Sequence, residues 1–128
     1  MAAEITVTSS VSASKSGRVL PILGGSYTID WSGKDYDEGI VSAATTAAGV
    51  AFSIKSSLSA LAVAFFKNLD STNYVEIGGQ HSGTTFVPVI RLPAGEHIVV
   101  RLSNLAITDL YYRANTSACD LQFRIQEP

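Results

Sequence analysis

Along most of the chain, apolar and polar residues alternate with a period of two, or apolar residues run in blocks of five to eight cut by Gly, Pro, Asn and Asp. Both patterns belong to β-strands. The region from residue 62 to 102 is the clearest. Strands are predicted over residues 62–67 and 74–78 around the turn Asn68-Leu69-Asp70-Ser71-Thr72-Asn73. Further strands are predicted over 85–92 and 97–102 around Pro93-Ala94-Gly95-Glu96. Residues 78–84 read as a loose Gly-rich loop. Pro88 removes a ladder donor, so its strand is expected at an edge or to be bulged there. The last strand alternates cleanly, with Cys119, Leu121, Phe123 and Ile125 on one face and Asp120, Gln122 and Arg124 on the other.

The first half reads the same way. Ile5, Val7 and Val11 share one face of a strand over residues 4–11, opposite Thr6, Thr8 and Ser10. Residues 12–17 are expected as a flexible loop, 18–23 as a short edge strand containing Pro21, and Gly24-Gly25 as a turn. Tyr27, Ile29 and Trp31 then line one face of the next strand. Residues 32–39 read as a polar turn. Residues 39–54 fit two short strands around a turn better than a helix, despite their alanines, and a helical turn is possible near 56–61. Residues 103–109 are a loop, 110–114 a strand and 115–117 a turn. About ten short strands without a long helix predict one all-β domain over residues 1–128, an antiparallel β-sandwich of jelly-roll type.

Composition adds a constraint on the surface. The chain of 128 residues is 46% hydrophobic and only 16% charged, with positive mean hydropathy. Surface so poor in charge is expected to be covered in part, most simply by copies of the same chain. The net charge of −2, with nine scattered basic residues, argues against nucleic-acid binding. No apolar run is long enough for a membrane-spanning helix. The first residues lack the charged and apolar regions of a secretory signal. A single cysteine forms no internal disulfide, which fits folding in a reducing compartment.

Candidate chemistry is sparse. His81 and His97 stand sixteen positions apart, without metal-ligand spacing. No nucleophile elbow occurs. Cys119 alternates with core residues and reads as a buried thiol. Asp35, Asp37 and Glu38 lack the pattern of a calcium loop and read as a solvated turn. Asp70 and Asn73 are expected to close their turn with side-chain to backbone hydrogen bonds. No catalytic residue, cofactor or metal site is expected.

Several motifs, in order and spacing, resemble those of small structural proteins of tailed bacteriophages. They are the segment from Asn68-Leu69-Asp70 through Thr72-Asn73-Tyr74-Val75 to Ile77-Gly78, then Phe86-Val87-Pro88, then Leu92-Pro93-Ala94-Gly95-Glu96, and the ending Leu121-Gln122-Phe123-Arg124-Ile125. The similarity covers roughly residues 62–127, and its motifs are turns and strands, so it carries over no catalytic residue. It implies a virion component assembled in the host cytoplasm: a head decoration or cement protein that binds the major capsid protein or other virion proteins, or a tail part. It also implies a homo-oligomer, with a trimer expected because decoration proteins often sit on three-fold positions.

The expected interface residues are Glu4, Ile5 and Val7 on the first strand, Asp35, Tyr36 and Asp37 in the polar turn, Gln80 and His81 in the Gly-rich loop, and Phe86, Tyr111 and Tyr112. Strands apolar on both faces, at 86–92 and 98–102, call for an extra covering contact. Two rival readings remain. One is a tail or receptor-binding module that stacks host glycan on Tyr36, Tyr111 and Tyr112. The other is a hydrolase accessory domain with His81, Asp and Ser converging in a pocket.

Overall fold

The computed structural model describes residues 4–30, 35–53, 58, 63–102 and 110–127. Trp31, the 103–109 loop and nearly all of the proposed helical turn at 56–61 lie outside the described residues. Twelve strands and no helix make up the described chain. It forms two compact units, Met1–Ser32 and Gly33–Pro128.

The second unit is an antiparallel β-sandwich. Its strands are β5 (Tyr36–Ala43), β6 (Val50–Ala51), β7 (Val63–Asn68), β8 (Val75–His81), β9 (Thr85–Leu92), β10 (His97–Arg101), β11 (Tyr111–Ala114) and β12 (Cys119–Gln126). One sheet has the order β10-β7-β12-β5 and the other β6-β11-β8-β9. In chain order these eight strands occupy the positions of a jelly roll, in which the chain passes from sheet to sheet and the last strand pairs between the first and third.

The alternation expected in the final strand is borne out. Cys119, Leu121, Phe123 and Ile125 are buried, and Asp120, Gln122 and Arg124 are exposed. β12 lies between β5 and β7, pairing Phe123 with Gly39 on one side and Phe66 on the other. Phe66, Leu121 and Ile125 of one sheet pack with Val75, Ile77, Leu92 and Tyr112 of the other. Phe52 sits among the rings of Phe66, Tyr112 and Phe123, with centroids 5.5, 4.4 and 5.7 Å away. Burying each such side chain contributes about 1.5–3 kcal/mol.

Two local expectations are corrected in this unit, and the one at Pro88 is borne out. Asp37, Glu38 and Gly39 are not in a polar turn but belong to β5, because they complete the ladder opposite Ile125, Arg124 and Phe123. Residues 78–84 are no loose loop. β8 runs on to His81, and a tight turn through Ser82 and Gly83, both at positive φ, leads directly into β9. Positive φ at both central residues matches the twist of a hairpin. Pro88 is both at a sheet edge and beside a bulge, since the register shifts between Ile77 and Gly78 and leaves Val89 without an opposite residue.

The first unit is a ribbon. β1 (Glu4–Val11) pairs along its whole length with β4 (Leu23–Asp30), and between them β2 (Ser14–Lys15) pairs with β3 (Arg18–Val19). The predicted flexible loop at 12–17 is therefore part of a second, short hairpin, turned by Ser16 and Gly17 at positive φ. Gly24-Gly25 is not a turn but the start of β4. A Cβ on Gly24 would collide with the Ser9 carbonyl oxygen and lie 2.8 Å from the Ser10 Cα, so glycine here permits close backbone approach.

Candidate interaction surface

Four arrangements on this framework are candidates for function. The first is the β1–β4 ribbon. Register places Ile5, Val7, Val11, Leu23, Tyr27 and Ile29 on one face, and Thr6, Thr8, Ser10, Ser26 and Thr28 on the other. On the polar face the Thr8 hydroxyl donates to Ser26 Oγ at 3.1 Å. On the apolar face Val7 and Ile29 are buried, but Val11 is 66% and Leu23 71% exposed. Val19, Leu20 and Ile22, around the end of β3, are also more than half exposed. Apolar side chains gathered on one short segment form a surface suited to being covered.

The second arrangement lies along the edges of the sandwich. β9 and β10 each end a sheet, and their outward residues Val87, Val89 and Val99 are exposed. β5 is an edge as well, with Tyr36 and Ile40 exposed. The two-sided apolarity of 86–92 and 98–102 thus falls on edge strands that each have one face in the core.

The third is a row of charge across the β6-β11-β8-β9 sheet. Arg113, Glu76 and Arg91 stand opposite one another on β11, β8 and β9. Both guanidinium groups reach the Glu76 carboxylate at 2.9 Å. Arg91 also lies over the Tyr74 ring and Arg113 over Phe86, at 4.3 and 4.7 Å from the centroids. Burial pushes the Glu76 pKa up, but the hydrogen bonds and charges of the two arginines outweigh it and hold the carboxyl below its ordinary range. The row stabilises the sheet and leaves Glu76 fully engaged.

The fourth is a cavity of about 600 Å³ lined by Gly78, Gly79, Gln80, Val89, Leu102, Leu110 and Tyr111, among others. Its wall is mainly apolar. The Gln80 amide is taken up by the Ala48 carbonyl at 2.8 Å.

The motif residues 68–73 are structural. Asn68 is fully buried, and its amide donates to the carbonyls of Asn73, Leu92 and Pro93 at 2.7, 3.0 and 3.2 Å. Asp70 Oδ1 accepts from the backbone N–H of Thr72 at 2.7 Å and of Asn73 at 2.6 Å, as expected for a turn-closing carboxylate. These bonds, the Asn73 one foremost, lower the Asp70 pKa. Asn73 and Tyr74 are tied in turn to Ser117 and Asn115. Three turns are thereby joined in one network.

The predicted interface residues fare unevenly. Glu4 is exposed and Ile5 half-buried, on the same ribbon as the apolar cluster. Tyr36 is exposed on β5 between half-buried Asp35 and Asp37, and Asp35 accepts from the Tyr36 N–H at 3.0 Å. His81 is exposed, with Gln80 and Tyr111 half-buried nearby. Val7, Phe86 and Tyr112 are buried and offer no free surface. Tyr112 lies in the core, so Tyr36, Tyr111 and Tyr112 do not form one stacking platform. Val11 ends the strand over residues 4–11 that is expected to carry the interface, whereas Val19, Leu20, Ile22 and Leu23 are not among the expected residues. For Leu23 the signal is the alternation of residues 23–29, in which Leu23, Gly25, Tyr27 and Ile29 share a face; no such period marks Val19, Leu20 or Ile22.

Among the described residues no three His, Cys, Asp or Glu side chains group as a metal site. Cys119 is buried, which raises its thiol pKa, with a further push from Asp70. Comparison with protein-family models, with curated proteins and with solved structures finds no match.

Proposed function

We propose that this protein is a non-enzymatic structural component of a bacteriophage particle that decorates or cements the head. It acts by covering area: many copies each seal contacts between shell subunits. The observation that carries this reading is the set of large apolar side chains exposed on the N-terminal ribbon, led by Val19, Ile22 and Leu23. Such a surface gains free energy when another protein covers it, at about 25 cal/mol per Å² of apolar area. The phage-like turn and strand motifs of residues 62–127 favour a virion as the setting.

The test is to mix the purified chain with empty heads and, separately, with tails, then to sediment the particles and image them. Saturable, regularly spaced binding to heads is the expected outcome. Binding to tails alone would replace decoration with the adsorption reading. Binding to neither would overturn the virion reading.

A further inference from the structure

We draw no further inference here: the strongest candidate, the mainly apolar cavity of about 600 Å³ walled by β8, β9 and the start of β11, carries nothing because nothing in the structure shows what fills it.

Discussion

Asn68 shows how a polar side chain becomes a core residue. It lies on the inward face of β7 after Ala64 and Phe66 and is as fully buried as they are, yet three backbone carbonyls share its amide hydrogens. A buried amide with its bonds made adds order without a large penalty. Glu76 is a second case, and it has a pH signature. Its ordinary pKa is 4.5, and in the fold it lies lower. The stability it supplies is fully present above the unfolded-state value and is lost as the pH falls through the folded-state value. E76Q is expected to cost about 1–2 kcal/mol near neutrality, a figure discounted because Arg91 is largely exposed. The gap between wild type and variant should narrow in urea unfolding as the pH falls below the ordinary carboxylate value and through the lower folded-state value. A gap that stays constant across that range would show that the carboxylate charge contributes nothing.

At the scale of elements, the β8–β9 hairpin is shaped by one close approach. A Cβ on Gly78 would meet the Val87 carbonyl oxygen and come within 2.9 Å of the Pro88 Cα, both backbone atoms. The glycine, the proline and the register shift form one device: the bulge brings the strands together where only a hydrogen fits. G78A is expected to destabilise the protein by about 1–3 kcal/mol and to weaken exchange protection along β9. G25A, which has nothing within 4 Å of its added methyl, should change the urea midpoint little. Equal effects of the two would show that the bulge tolerates a side chain. The two-residue β6 closes one edge of that sheet, and a strand so short offers little template for unwanted pairing.

At the scale of the molecule, the two units differ in what holds them. Residues from both sheets of the second unit meet in one continuous core. Among the described residues the first unit has two two-stranded ladders, which rarely suffice in water. A chain beginning at residue 33 is therefore expected to unfold cooperatively in thermal melts followed by circular dichroism. A peptide of residues 1–32 should lack strand signal in dilute solution. A non-cooperative melt of the longer piece would mean that the sandwich depends on the ribbon for its fold.

The residue order by itself determined the strand rhythm, the all-β class and the jelly-roll type, because a period of two and turn residues at short intervals leave few other ways to bury the apolar face. It also determined the inward set of β12, the turn role of Asp70 and the disturbance at Pro88, each a local consequence of backbone chemistry. Only the tertiary structure decided where those strands lie. Glycines at 24 and 25 look like a turn until β1 is placed opposite them, and Asp37 and Glu38 look like a loop until β12 pairs with them. Exposure was likewise settled in three dimensions, since alternation shows which residues share a face but not whether anything covers it. That is why Phe86 and Tyr112 proved buried while Leu23 and Val89 stand open to solvent.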